Sequence, residues 1–255
     1  MLRPRVIPTL LLRDESLVKT VQFGRFSYIG DPTNTVRIFN ELEVDELAFL
    51  DITATLDGRE PNLRLLGEIA NECFMPLAYG GGIRSFEQAR AILHAGFEKV
   101  VVNSAAHEDP SLVTRLADHF GSQAVIASID VRRRAGGRAS VWTRSGTRDT
   151  GLDPVAWAQE MERRGAGEIL LTSIEREGPW KGYDLDLVRG VVDAVQVPLI
   201  ANGGAGSVED IGNVVRTAGA SAAAVGSLVV FQRRGMGVLV NFPSPASLDA
   251  VLGSS

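Results

Sequence analysis

The chain has one cysteine, Cys73, in 255 residues, so no internal disulfide can form and a reducing compartment is expected. No apolar run approaches the 18 or so residues of a membrane-spanning helix. The opening MLRPRVIPTLLL is too short for a targeting segment and leads straight into a strand pattern. Basic residues are not in excess. Lys and Arg number 26 against 31 Asp and Glu, and a net charge of −5 argues against non-specific nucleic-acid binding. The three histidines, His94, His107 and His119, lack metal-ligand spacing, so neither a metal site nor a cofactor is expected. No low-complexity linker divides the chain. The expectation is one soluble, cytoplasmic domain with no membrane or nucleic-acid partner.

What is present is a repeat. Pro76–Ser85 reads PLAYGGGIRS and Pro198–Ser207 reads PLIANGGAGS. Each copy continues through a helical stretch ending in Ala-Gly and a short strand, into Asn103-Ser104 in one half and Gly226-Ser227 in the other. A Gly-Gly turn after a strand exposes backbone N–H groups, and a serine at a helix start adds a hydroxyl and the helix dipole. Gly81, Gly82, Asn103 and Ser104 thus form one candidate phosphate cradle, and Gly203, Gly204, Gly226 and Ser227 a second. Two cradles point to a ligand carrying a phosphate at each end. The bland reading is a pair of tight turns.

Apolar segments near 5–11, 46–52, 75–79, 99–103, 124–130, 168–173, 197–201 and 222–226 alternate with helical patterns. Eight βα units in 255 residues predict a single (β/α)8 barrel built from half-barrel repeats at about 1–121 and 122–245. Asp31-Pro32, Asp109-Pro110 and Asp153-Pro154 read as N-caps followed by a first-turn proline, and Ser85–Gln88 as a capping box. Residues 132–151 hold six arginines without helical periodicity, which predicts an elaborated loop or small hairpin over the barrel mouth. Four charged residues open strands: Arg5, Glu46, Lys99 and Glu168. Their parity with inward positions predicts a ring of alternating charge on the barrel floor, and the bland reading is a salt-bridge plug.

These residues resemble the HisF family, the cyclase subunit of imidazole glycerol phosphate synthase. The likeness rests on ELAFLDITAT (46–55), YGGGIRSFEQA (79–89), VNSAA (102–106), FGSQAVIASID (120–130), RGAGEILLTSI (164–174) and NGGAGS (202–207), in that order. It implies a barrel that takes ammonia from a separate HisH-like glutaminase docked at its N-terminal face, near Glu98. The floor charges match the family's ammonia gate. It also implies substrate contacts at Lys19, Asp51, Thr172 and Glu177.

The family uses two aspartates for proton transfer, and Asp130 matches one. Superposing VIPTLLLR (6–13) on VIASIDVR (125–132) puts the other at Leu11. A leucine can neither donate nor accept a proton, and a positioned acid or base contributes about 10²–10⁴-fold. Asp14 or Glu15 is the nearest acid that could substitute. Glu175 and Glu177 stand where the family has shorter acids. Trp142 and Trp180, in mouth loops, could stack on a ligand ring, with loop packing as the alternative. Cys73 is expected to pack.

The segments 26–47 and 230–245 resemble a divergent HisF-like branch of acetamidino sugar modification, in which a glutaminase, the barrel and a sugar amidotransferase cooperate. Three readings remain open at this point. One is an ammonia-channelling subunit of that branch, another the ordinary cyclase of histidine biosynthesis, and the third a non-catalytic scaffold that activates a glutaminase.

Overall fold

The computed structural model describes residues 4–134 and 136–253. The two ends of the expected 1–255 span, and Ala135 in the 132–151 segment, lie outside the described residues. Twelve strands follow in chain order: β1 (Arg5–Arg13), β2 (Ser16–Thr20), β3 (Phe26–Gly30), β4 (Leu47–Asp51), β5 (Leu77–Gly80), β6 (Lys99–Val102), β7 (Val125–Arg133), β8 (Ala139–Thr143), β9 (Arg148–Asp149), β10 (Glu168–Ser173), β11 (Leu199–Asn202) and β12 (Ala222–Val225).

Eight of them pair in parallel in the order β1, β4, β5, β6, β7, β10, β11, β12, and β12 returns to β1 with Arg5 opposite Ala222. The sheet is therefore closed, with helices around it: a (β/α)8 TIM barrel. The eight expected strands all form, within about three residues of the boundaries read from sequence. Two strands run on past the barrel rim. β1 turns back into the antiparallel pair β2 and β3, and β7 into β8 and β9. The second extension is the hairpin expected within 132–151.

Helix ends follow their local chemistry. Asp31 and Asp153 cap helices that begin at Pro32 and Pro154, their carboxylates accepting backbone N–H groups of the first turn. The third Asp-Pro is shifted by one position. Pro110 itself is the cap, the helix begins at Ser111, and the Asp109 carboxylate accepts the Ser111 N–H. Ser85 accepts from the Gln88 N–H, but the Gln88 side chain reaches the Arg84 N–H instead of Ser85, so only half a capping box forms there. The complete box is at Ser207 and Asp210.

Two apolar layers form the core. The larger lies between strands and helices and includes Val6, Leu10, Phe39, Phe49 and Ile69, each 2% exposed or less. The smaller fills the barrel axis: Ile7, Ala48, Ala78, Val101, Ile126, Leu170, Ile200, Ala222 and Ala224. Four of these nine are alanines, so small apolar side chains line the axis between a charged floor and a polar mouth. Among the described residues no helix is long and apolar enough to cross a membrane.

Candidate active site at the barrel mouth

A cavity of about 600 Å³ opens where the barrel strands end. Every ligand-contact residue expected from sequence lines it, as do Asp130 and Leu11. Its two sides are built alike. β6 and β12 run directly into short helices, and Asn103 and Gly226 have nearly the same backbone, φ −124°, ψ −84° and φ −117°, ψ −85°. Ser104 and Ser227 then begin the helices. The matching turns after β5 and β11 need glycine. A Cβ at Gly81 would lie 2.4 Å from the Asp51 carbonyl oxygen, and one at Gly203 2.7 Å from that of Ser173, both at positive φ.

Asp130 is 9% exposed at the inner end of the mouth. Asn103 Nδ2 donates to its Oδ2 at 3.1 Å and to the Ser128 carbonyl at 3.1 Å. Thr172, on the adjacent β10, also hydrogen-bonds the carboxyl and accepts from Asn202 Nδ2 at 3.1 Å. Burial outweighs the Thr172 contact and pushes the Asp130 pKa up to about 7, so the group can both hold and release a proton near neutrality.

Leu11, at the corresponding end of β1, pairs with Leu50 of β4 and Val18 of β2. Neither nearby acid takes its place. The Asp14 side chain is 74% exposed and lies 3.7 Å from Arg59, Glu15 is paired with Arg64, and both are absent from the cavity lining.

Lys19 and Glu177 form a buried ion pair beside the second cradle, with side chains 9% and 7% exposed. The Lys19 stem passes where a Cβ on Gly226 would sit, 2.9 Å from its Cε. Its Nζ also donates to the Thr20 carbonyl at 3.1 Å, and the other Glu177 oxygen accepts the Phe23 N–H at 3.2 Å. Burial pulls the Lys19 pKa down to about 7. Asp51 lines the cavity but is already engaged. One oxygen accepts the Thr53 and Ala54 N–H groups, and the other faces Arg59 at 3.4 Å.

Several side chains near the mouth make contacts elsewhere. Glu175 turns away from the cavity and accepts the Arg133 N–H at 2.7 Å. Neither tryptophan lines the mouth, and Trp142 lies under the Arg132 guanidinium at 4.8 Å. The mouth aromatics are Phe23 and Phe26, the latter stacked on Arg13 at 4.0 Å. Sequence reasoning also missed Arg144, Ser145 and Thr147, which the β8–β9 turn folds over the cavity. The Ser104 hydroxyl accepts the Arg144 N–H, and Ser145 Oγ donates to the Ile52 carbonyl across the mouth. The density of arginine in 132–151 was the available signal.

At the opposite end the four strand-opening charges close a ring. Arg5 contacts Glu46 at 2.5 Å and Glu168 at 3.1 Å, and Lys99 contacts each of the same two glutamates at 3.0 Å. Glu46 is 3% exposed. Glu98, beside the ring, accepts the Leu77 N–H at 2.6 Å. Cys73 packs at a helix end with its thiol against Met75, and burial pushes its pKa up.

The family described as "Histidine biosynthesis protein" matches residues 5–234. Over 98% of this chain and 99% of its own length, a protein of Pseudomonas aeruginosa with the provisional name imidazole glycerol phosphate synthase subunit hisF2 is 51% identical. A similarly named hisF3 protein of Vibrio vulnificus is 47% identical over 99% of this chain and 97% of its own. The imidazole glycerol phosphate synthase subunit HisF of Caulobacter vibrioides is 42% identical over the whole of both chains. With its closed barrel, paired glycine turns and polar mouth, the chain belongs to the histidine biosynthesis protein family as a HisF-type barrel.

Proposed function

We propose that this chain is the ammonia-accepting barrel of a glutamine amidotransferase complex that binds a phosphorylated ligand across its mouth and has given up the cyclisation step. One contrast carries the reading. Leu11 stands on β1 where the family places a second proton-transfer group, while the four-charge ring on the floor is complete. The ring serves as an ammonia gate. A small neutral molecule released at the floor passes when one ion pair parts, then follows the apolar axis lined by Ala48, Ala78, Ala222 and Ala224.

At the mouth, the backbone N–H groups at Gly81, Gly82 and Ser104 hold one phosphate, and those at Gly203, Gly204 and Ser227 the other. Their matched geometry supports reading the barrel as two half-barrel repeats, about 1–121 and 122–245. Lys19 supplies positive charge to the second phosphate, with Glu177 holding it in place. Asp130, oriented by Asn103 and Thr172, is the remaining acid–base group. The complex works in the cytoplasm with a HisH-like glutaminase, and serves acetamidino sugar and surface polysaccharide synthesis with a sugar amidotransferase downstream.

The second reading is the ordinary cyclase of histidine biosynthesis. It is favoured by the polar mouth that survives around Leu11 and by the name of the Caulobacter relative. Calorimetric titration with imidazole glycerol phosphate and with inorganic phosphate tests the ligand assignment. Binding of either that weakens on Ser104→Ala or Ser227→Ala supports the cradles. No saturable binding of either probe contradicts them.

A further inference from the structure

The two sides of the mouth share a plan. β12 pairs with β1 and β6 with β7, and both β1 and β7 run past the rim into antiparallel extensions. The extension of β1 brings Lys19 to the Gly226-Ser227 corner, its Cε 2.9 Å from where a Cβ on Gly226 would sit. The extension of β7 brings Arg144 to the Asn103-Ser104 corner. There its backbone N–H donates to the Ser104 hydroxyl at 2.9 Å and its side chain lines the cavity. Each corner thus receives one basic residue from the strand beside it.

The two cations are not equivalent. Lys19 is already paired with Glu177. Arg144 is half-buried, and its guanidinium makes no hydrogen bond or ion pair among the described residues. The other arginines of the lining are engaged: Arg13 stacks on Phe26 at 4.0 Å, and Arg84 donates to the Arg59 carbonyl at 3.3 Å. The hydroxyls differ in the opposite sense. Ser104 Oγ accepts the Arg144 N–H and donates to Asn103 Oδ1 at 3.3 Å, whereas Ser227 Oγ makes no hydrogen bond among the described residues. The turn that carries Arg144 is strained. Arg144 and Ser145 both have φ near 53°, and Gly146 follows at 72°. It is held closed by Thr147 Oγ1, which donates to the Arg144 carbonyl at 2.6 Å, and by Ser145 Oγ on the Ile52 carbonyl at 2.6 Å. A strained turn that fixes an unpaired, partly desolvated guanidinium in a cavity suits an anion that the chain does not itself supply.

We infer that Arg144 is the specificity-determining residue of the first cradle: its guanidinium binds the dianionic end of the ligand, a phosphate monoester, and so fixes which end enters on that side. This rests on the reading of the mouth as a two-cradle phosphate site. A monoester presents three charged oxygens, enough for the backbone N–H groups and the planar guanidinium fork together, and a diester has only two. The second cradle, with its cation neutralised by Glu177, lacks that unpaired charge.

The test is an NMR titration of the full chain near pH 7, where a phosphate monoester is mostly dianionic. The probes are methyl phosphate, a monoester, and dimethyl phosphate, a monoanionic diester. The backbone amides of Ser104 and Ser227 report the two cradles separately. Wild type is expected to bind methyl phosphate at Ser104 about tenfold or more tightly than dimethyl phosphate. Arg144→Gln is expected to weaken methyl phosphate at Ser104 by about tenfold or more and to leave Ser227 unchanged, with Arg144→Lys recovering part of the loss. Equal saturation of Ser104 in wild type and Arg144→Gln overturns the role of Arg144 while leaving the cradles intact. A parallel loss at Ser104 and Ser227 overturns it too, because a residue that only shapes the mouth acts on both. No saturable shift at either amide sinks the two-cradle reading, and the role of Arg144 with it.

Discussion

The Asn103 side-chain amide donates to the Asp130 carboxylate at 3.1 Å, so this acid of β7 is held by a neutral group. Burial therefore sets its protonation, and its pKa lies near 7, not in the ordinary carboxylate range near 3.8. Between those two values the folded protein keeps a proton that the unfolded chain has lost, so stability falls as pH rises through this window. Asp130→Asn removes that penalty. Chemical denaturation at pH 5 and pH 8 is expected to show the variant gaining roughly 4 kcal/mol on wild type at pH 8 and less than half as much at pH 5.

Lys19 and Glu177 behave differently because each compensates the other's burial. Lys19→Met leaves a buried carboxylate without its cation, and Glu177→Gln leaves the ammonium without its anion. Each single variant is expected to lose about 3–5 kcal/mol, and the double variant less than the sum. A double-mutant cycle by urea denaturation measures the coupling. Additive losses would mean that the pair contributes nothing as a pair.

On the floor, Glu46 accepts from both Arg5 and Lys99 and is almost fully buried. Glu46→Gln keeps the shape and leaves two cations short of a partner. Stability is expected to fall by about 1–3 kcal/mol, with the loss only slightly larger at low salt because the group is buried. Differential denaturation at two salt concentrations checks this.

Gly81→Ala sets a Cβ against the Asp51 carbonyl at a φ of +119°. The backbone of the first cradle must then move. A loss of about 2–4 kcal/mol in stability and of phosphate binding is expected, measured by thermal melting with and without inorganic phosphate.

The barrel was legible because its strands are short apolar runs separated by capped helices, and the floor ring because Arg5, Lys99 and Glu168 each begin such a run. The hairpin β2–β3 was not. In Ser16–Thr20 every residue after Ser16 is buried, so no alternation of polar and apolar residues marks a strand, and Lys19 sits within it. Phe26 and Tyr28, in the opposing strand, are exposed and read as loop. For Trp142 the residue type left a ligand platform and loop packing both open. Pairing of β8 with β7, at Asp130 opposite Trp142, turns its ring onto Arg132 instead. The paired glycine turns were visible as a repeat, but the folding of Arg144 and Ser145 over the mouth depends on a turn with three successive positive φ values, which composition does not encode.

Leu11 decides the central claim. Cyclase turnover should be measured for wild type and Leu11→Asp with the family's bisphosphorylated cyclase substrate and a high concentration of ammonium salt, which bypasses any glutaminase. No turnover by the folded wild-type protein and a measurable rate for Leu11→Asp are expected. Substantial turnover by wild type would contradict the loss of cyclisation and return the chain to histidine biosynthesis.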